Sequence, residues 1–538
     1  MMAAGQDHTT LEKRAVVSSF IFGYPNEPCE EPVVALFKRS DRVSTYRHRI
    51  APISGSISRK DKDPLAAAWR EISEETTLTP STVAFWRMGM PFTFADESVG
   101  REWTVHPFGF RLRSSALGGG GKSAIRIDWE HEGWQWYNPT AVVNDAGFDG
   151  VPHLRESLRR VWFEGEMPDR VGRSLAAGLE RLKNDHESGA QELTAIAGAV
   201  FRDLVVQMET TPDSLVWWET VRMTAWHLVK NGRESMGAAT LNLLLVVLQD
   251  LEECWKLDTT SAQRLDRMLS VIDFHLQSRT SRARQVKDTF ASYLRSAFLS
   301  NEEEARDRLT ILTLSASSTI RDSIVDAFAS VDVPTLELRI LESRPLFEGV
   351  SMASSVLSEF QARYSSDSGR KLAISLYTDA SAAVAAQNVD MVLLGADRIS
   401  LSKGVSNKTG SLPVVLSAKH INPNVPVVVL SDLEKVNGET GLIDDEKHED
   451  NDPKEVISAW SSDEIKGVQT VEEAVVHQSQ PGNSSVDVRN IYFEWVPFSF
   501  VDAFISGEGV LDDRQIREKA RQQGELSSRY FDSLPIRY

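Results

Sequence analysis

The run Leu309-Thr310-Ile311-Leu312-Thr313-Leu314 is apolar or β-branched at every position. A strand with one face in water would alternate polar and apolar residues, so this one is read as buried on both faces. Thr335–Ile340, Leu372–Leu376, Met391–Leu394 and Val425–Leu430 are runs of the same kind, and helical stretches such as Ser318–Ala329 and Ala380–Gln387 fall between some of them. Buried strands alternating with helices predict a mostly parallel sheet with both faces covered. Ligands of such sheets gather beyond the strand C-termini.

Upstream the periodicity changes. From Val151 to about Leu299 it is helical: Leu241, Leu244, Leu245, Leu248 and Leu251 recur at helical spacing, as do Leu175, Leu179 and Leu182. That block reads as packing material. From Ala15 to about Val143 short strands (Ala15–Val17, Val33–Phe37, Trp103–Phe110, Trp134–Trp136) surround one helix at Pro64–Glu75, the pattern of an α+β domain. The expected organisation is a domain at 10–150, a helical linker and subdomain at 151–300, an α/β domain at 301–520 and a tail at 521–538. Two polar stretches, Glu434–Asp463 and His477–Ser485, read as surface excursions, and the polar tail after Ala520 is expected to dock weakly.

A chain of 538 residues with 41% hydrophobic residues supports two or three cores, and its net charge of −18 argues against a surface that grips a phosphate backbone. Direct nucleic-acid binding is therefore not expected. Any nucleotide must be held locally, by a metal ion or a few placed Arg and Lys. Cys29 and Cys254 are the only cysteines and stand far apart, which supports neither a disulfide framework nor a zinc site. No run approaches the roughly 20 apolar residues of a membrane span and no signal-type segment opens the chain, so the expected location is cytoplasmic.

Asp63 is an acceptable helix cap and Pro64 fits the first helical position. Glu71, Glu74 and Glu75 then share one helix face. Their mutual repulsion is relieved either by solvent or by a divalent cation, and oxygen ligands of this kind suit Mg2+ or Mn2+. Gly55-Ser56-Ile57-Ser58-Arg59-Lys60-Asp61-Lys62 followed by Ala67 to Leu78 resembles the Nudix box, with Arg70, Glu71, Ile72, Glu74, Glu75 and Leu78 at its positions. The resemblance implies Glu71, Glu74 and Glu75 as metal ligands, Arg70 as the residue orienting them, and all four as catalytic for hydrolysis of a nucleoside diphosphate derivative. Trp129 to Trp136 resembles the family's closing strand. Ser56, Lys62 and Thr77 depart from the box at its first glycine, first glutamate and last glycine. The run Gly118-Gly119-Gly120-Gly121-Lys122-Ser123 lacks the first glycine of a P-loop, Ala116 standing there, and reads as a surface loop.

In the C-terminal part, Ser315, Arg344, Asp397, Asn407 and Lys408 each follow an apolar run or lie in the loop beyond it. Converging at one sheet edge, they supply positive charge, hydroxyl and amide groups and a carboxylate able to exchange a proton. Glu342-Ser343-Arg344-Pro345-Leu346-Phe347-Glu348-Gly349, Asp379, Gly395-Ala396-Asp397-Arg398-Ile399, Asn407-Lys408-Thr409-Gly410 and Tyr492-Phe493-Glu494-Trp495-Val496-Pro497 resemble the superfamily of the alpha, beta and delta subunits of initiation factor 2B, methylthioribose-1-phosphate isomerase and ribose-1,5-bisphosphate isomerase. A fainter likeness lies in Ser188-Gly189-Ala190 and Gly232-Arg233-Glu234-Ser235-Met236.

That resemblance implies a Rossmann-like α/β domain, a sugar-phosphate or nucleotide pocket using Arg233, Arg344, Asp397, Asn407 and Lys408, catalytic roles at Ser315 and Asp397, and a homo-oligomer joined through the C-terminal domain. Ser315 stands where the isomerases have a cysteine, Leu314 at their usual histidine and Ser188 at a phosphate-binding arginine. A serine hydroxyl ionises far above a thiol, so isomerisation is expected to be inefficient. The functional expectation is a metal-dependent Nudix-type hydrolase of a nucleoside diphosphate derivative, fused to a domain that binds a sugar phosphate or nucleotide. The alternatives are a non-catalytic regulatory or scaffold protein related to the exchange-factor subunits, and a divergent ribose-phosphate isomerase.

Overall fold

The computed structural model describes residues 11–23, 32–114, 121–143, 147–186, 188–208, 214–257, 259–299, 306–364, 369–438, 442–443, 445, 449–462, 465–476, 486–532 and 534–536. Gly118 to Gly120 of the glycine run, Cys29 and the stretch His477–Ser485 lie outside the described residues.

The N-terminal part comprises β1 (Glu12–Gly23), β2 (Val33–Arg39), β3 (Ile50–Ala51), α1 (Pro64–Thr76), β4 (Val83–Met88), β5 (Phe92–Asp96), β6 (Arg101–Leu112), β7 (His131–Tyr137) and α2 (Leu154–Val161). Its sheet runs β3-β2-β1-β6-β4, with β5 added on β6 and β7 on β2. The long strands β1 and β6 are parallel, in register from Glu12 opposite Arg101 to Phe22 opposite Arg111. The period of two sorts β1 between the faces. Val17 and Ile21 meet Ala67, Ala68 and Ile72 of α1, while Phe20 and Phe22 meet Leu154, Leu158 and Val161 of α2.

The helical part is α3 (Asp169–Asn184), α4 (Ala190–Gln207), α5 (Leu215–Lys230), α6 (Gly237–Lys256) and the long α7 (Ser261–Leu299). Leu175, Leu179, Leu182, Leu241, Leu244, Leu245, Leu248 and Leu251 are all buried in one core. Each contributes about 1.5–3 kcal/mol by leaving water.

The C-terminal part continues with β8 (Arg308–Leu314), α8 (Ser318–Ala329), β9 (Thr335–Leu341), α9 (Glu348–Arg363), β10 (Lys371–Tyr377), α10 (Ala382–Ala385), β11 (Met391–Leu394), β12 (Arg398–Ser400), β13 (Gly404–Lys408), α11 (Ser411–Ile421), β14 (Val427–Leu430), β15 (Val436–Asn437), α12 (Pro453–Ser462), α13 (Val468–Val476), β16 (Phe493–Val496), β17 (Ala503–Ser506), β18 (Gly509–Leu511) and α14 (Asp513–Ser527). The main sheet runs β10-β9-β8-β11-β14-β17-β18. It is parallel from β10 to β17 and closes with an antiparallel hairpin. The strands expected from the apolar runs are there, while the helix expected over Ala380–Gln387 is reduced to Ala382–Ala385 behind a turn. A second sheet, β15-β12-β13-β16, stands beyond the strand ends.

Two polarity-based expectations are corrected. The first described residues of Glu434–Asp463 are not a surface excursion: Glu434 pairs with Arg279 and Arg282, Val436 and Asn437 are buried, and Glu449 meets Arg233 at 2.7 Å, whereas Pro453–Ser462 lies largely at the surface with Ile457 buried. The chain end does not dock weakly either, because Tyr530, Phe531 and Leu534 enter the helical core.

Candidate functional site

Two concave sites lie at the positions the motifs indicate. In the N-terminal part, Asp63 caps α1 by accepting from the Ala66 N–H, with Pro64 in the first turn. From that helix Arg70 reaches back to the preceding loop. Its Nε and Nη2 donate to Asp61 at 2.9 and 3.0 Å, and its Nη1 donates to Glu71 at 2.7 Å and Glu74 at 3.2 Å. Gly55 passes so close to Glu71 that an added Cβ would stand 2.0 Å from the carboxyl carbon. The glycine lets Glu71 face the cleft.

The cleft has a volume of about 300 Å3, and its wall includes Glu71, Glu130, Arg39, Arg101, Tyr46, Phe94 and Trp103. Burial, Glu74 and Glu130 hold the Glu71 carboxyl above its usual range, although Arg70 opposes them. Burial and Asp128 do the same to Glu130. Glu74 is largely exposed, at 60%. Glu75 points inward, where burial, Glu130 and Glu71 push its carboxyl well up; its Oε2 lies 2.6 Å from His131 Nε2 and its Oε1 has no hydrogen-bond partner. Burial depresses His131 to about 4.

The three box glutamates thus face different surroundings, and among the described residues no group of three or more His, Cys, Asp or Glu side chains is arranged as a metal site. The donor chemistry nonetheless suits a hard divalent cation, because Glu71, Glu74 and Glu130 are repelling carboxylates close to one another. Glu130 and Arg39 were not singled out from sequence. They come together only because β7 pairs with β2, setting His131 opposite Arg39.

The second site, of about 550 Å3, lies beyond the C-terminal ends of β8 and β11. It gathers Ser315, Asp397, Asn407, Lys408 and Arg233 together with Ser188, Glu348 and Lys435. Ser315 follows β8 at φ 65°, its N–H donating to Ser343 Oγ at 2.8 Å. Asn407 Nδ2 donates to Ser411 Oγ at 2.9 Å. Lys408 Nζ pairs with Glu348 at 2.7 Å and lies 4.4 Å from the Tyr492 ring centre. Arg233 donates to Glu449 at 2.7 Å and to the Asp185 carbonyl at 2.8 Å. Burial raises Asp397 against the pull of Lys435, Lys408 and Arg233, and burial lowers Lys435. Arg233 Nε and Glu348 Oε2 are buried without a hydrogen-bond partner, which leaves polar capacity for a ligand or water.

Arg344 does not join this group. It lies in a separate small cavity with Trp460 and Arg489, its Nε donating to Glu342 at 2.9 Å and its guanidinium 5.0 Å from the Phe347 ring centre. Lys435 is the pocket residue that the polarity reading concealed. Its position shortly after β14, at the strand end where ligands gather, was the available signal.

The chain thus joins a mixed-sheet domain with a carboxylate-lined cleft to an α/β domain with a charged pocket beyond the C-terminal ends of its central strands. The profile of the Initiation factor 2 subunit family matches residues 236–513, just over half of the chain, and that of the NUDIX domain matches residues 14–161. The chain belongs to the Initiation factor 2 subunit family and carries a Nudix domain fused to its N-terminal side.

Among curated relatives, methylthioribose-1-phosphate isomerase of Pseudomonas aeruginosa (strain UCBPP-PA14) is 29% identical over 158 residues, 29% of this chain and 37% of that protein. A putative methylthioribose-1-phosphate isomerase of Methanothermobacter thermautotrophicus is 33% identical over 141 residues, 26% of this chain and 39% of the relative. The chain therefore spans well under half the length of these relatives. Among solved structures, the translation initiation factor eIF-2B of Pyrococcus horikoshii OT3 aligns with TM-score 0.44 and 20% identity, covering 65% of this chain and 100% of that one. A chain of the tetrameric eIF2B-beta2-delta2 complex from C. thermophilum aligns with TM-score 0.46 and 12% identity, covering 66% and 95%.

Proposed function

We propose that the N-terminal cleft hydrolyses a nucleoside diphosphate derivative with the help of Mg2+ or Mn2+. The observation that carries this reading is the placement of Glu71 and Glu130 on one cleft wall with Arg39, Arg101 and the aromatic rings of Tyr46, Phe94 and Trp103. Carboxylates suit the cation, arginines suit phosphoryl oxygens, and rings suit a base. Mg2+ is commonly held by one or two carboxylates plus substrate phosphates, so a site completed by the substrate accords with incomplete ligation by the protein alone. The cation supplies water activation and charge neutralisation; Arg70 fixes Glu71 and Glu74, and the buried Glu75–His131 pair braces the helix. Screening nucleoside diphosphate derivatives with each cation tests the reading. Glu71→Gln is expected to lower turnover of any accepted substrate at least about a hundredfold, some 2.7 kcal/mol of transition-state stabilisation. Absence of turnover across the panel, or full activity in the variant, rejects it.

The C-terminal pocket is proposed to bind a phosphorylated sugar or a nucleotide, supported by the convergence of Arg233, Asn407, Lys408, Asp397 and Lys435. The relatives named as methylthioribose-1-phosphate isomerases suggest that sugar phosphate as a first probe. Ser315 makes efficient isomerisation unfavourable. By calorimetry Lys408→Ala is expected to weaken binding about tenfold to a hundredfold, through loss of a charged hydrogen-bond donor. If no phosphorylated sugar or nucleotide binds, a scaffold role for this half becomes the better account.

A further inference from the structure

We infer that the described residues Ser528–Asp532 and 534–536 act as a strap that backs the wall of the N-terminal cleft, with Pro535 and Ile536 as its positioning residues. It leaves α14 and crosses the helical part, where the Tyr530 hydroxyl donates to Glu252 at 2.8 Å, Arg529 pairs with Glu252 at 2.7 Å, and the Tyr530 carbonyl accepts from Arg222 at 3.3 Å. Phe531 and Leu534 fill the helical core beyond that anchor. The last described residues reach the N-terminal domain: the Pro535 carbonyl accepts from Arg160 Nη2 at 3.3 Å, and Ile536 packs on the cluster of Phe92, Trp103 and Val105.

Both contacts bear on the cleft. Trp103, Val105 and Phe94 line it, and Ile536 belongs to the cluster that backs them. Arg160 is 1% exposed; its Nη1 donates to the Met90 and Pro91 carbonyls at 3.2 and 3.1 Å, and its guanidinium lies 4.9 Å from the Phe92 ring centre. The same side chain therefore holds the entry of β5 and the strap. Without Pro535 one arm of a buried guanidinium loses its carbonyl, and a buried charged donor without a partner forces rearrangement around it. A short apolar contact from the far end of the chain thus fixes the aromatic wall against which a substrate ring would lie.

The inference rests on the hydrolase reading for its kinetic readout alone. The test compares the full chain, Ile536→Asp, Ile536→Val and a chain ending after Asp532, using amide hydrogen exchange of β5 and β6 and steady-state kinetics on whichever diphosphate substrate the screen identifies. Ile536→Asp and the shortened chain are expected to exchange at least about tenfold faster in β5 and β6, and to raise KM about tenfold with kcat within about twofold. Ile536→Val is expected to behave like the full chain in both. Unchanged exchange in β5 and β6 on Ile536→Asp overturns the strap. So does an equal fall of kcat with unchanged KM, which would point to a general structural role. If the full chain hydrolyses none of the substrates, the hydrolase reading fails while hydrogen exchange still decides the strap. If the shortened chain does not fold, the two point variants decide it.

Discussion

Thr77 ends helix α1 in the left-handed region, at φ 58°, with its N–H bonded to the Ser73 carbonyl. That is the conformation for which helix ends ordinarily use glycine, and a β-branched side chain there is strained by about 1 kcal/mol. Thr77→Gly is therefore expected to raise stability by about 1 kcal/mol without loss of the capping bond, read as a higher urea midpoint at constant m. A lower midpoint would show that the Thr77 side chain makes a compensating contact. Gly55 poses the opposite case. In Gly55→Ala the new methyl would stand 2.0 Å from the Glu71 carboxyl, so Glu71 must turn out of the cleft. Hydrolysis is expected to fall nearly as far as in Glu71→Gln, with a stability loss of about 1–3 kcal/mol from overpacking. Wild-type turnover in Gly55→Ala would remove Glu71 from the proposed chemistry.

Among the elements, α5 and α3 share the contact between the N-terminal and helical parts, α3 through Lys183 to the Trp86 carbonyl and Glu180 to Arg111. Asn231, just beyond α5, accepts from the Met88 N–H and donates to the Met88 carbonyl, both at 2.9 Å, and His227 stacks on Phe163 with ring centres 5.2 Å apart. Burial, Arg87 and Arg160 together depress His227 well below its ordinary 6.5. The folded state thus binds fewer protons than the unfolded chain just below that value. The stabilisation is present above about pH 6.5 and is lost as pH falls toward the folded value. Urea midpoints of the full chain are expected to fall on acidification from pH 7, and His227→Gln to flatten that slope; an identical slope in the variant assigns the acid sensitivity elsewhere. The elements most legible in sequence were those whose signal is one of burial. Leu309 to Leu314 could only be a strand buried on both faces, and α1 declared itself through Asp63, Pro64 and its carboxylate face. What escaped were buried polar residues, since Glu434 with Arg279 and Arg282, Glu449 with Arg233 and Asp445 with Arg398 read in composition as a solvated loop. Composition registers charge but not whether a partner accompanies it inside. Arg344 escaped in the other direction: Glu342 and the Phe347 ring draw its side chain into a separate cavity, which no spacing along the chain discloses.

At the scale of the whole molecule, β10 is the outermost strand of the C-terminal sheet, its far edge unpaired among the described residues. Beside it α9 buries Gly349, Met352, Ala353, Val356 and Phe360 against the sheet. Its other side carries apolar residues as well: Val350 is 48% and Leu357 44% exposed, with Leu346 at 42% just before the helix and Leu376 at 49% on β10. Scattered exposed leucines need no explanation, but an apolar stripe next to an unpaired strand edge is both an aggregation hazard and a ready interface. A second copy of this chain covering that edge removes both problems, and a two-fold contact would place the same stripe against itself. Sedimentation of the full chain at micromolar concentration is accordingly expected to show a dimer or larger species. The double variant Val350→Asp with Leu357→Asp is expected to shift it to monomer, because carboxylates desolvated at the centre of such a patch oppose association strongly. The hydrolysis proposed for the N-terminal cleft should be unchanged in the variant, since α9 lies in the C-terminal part. A full chain that stays monomeric at tens of micromolar, or a double variant that sediments like the wild type, sets this face aside as the contact between copies.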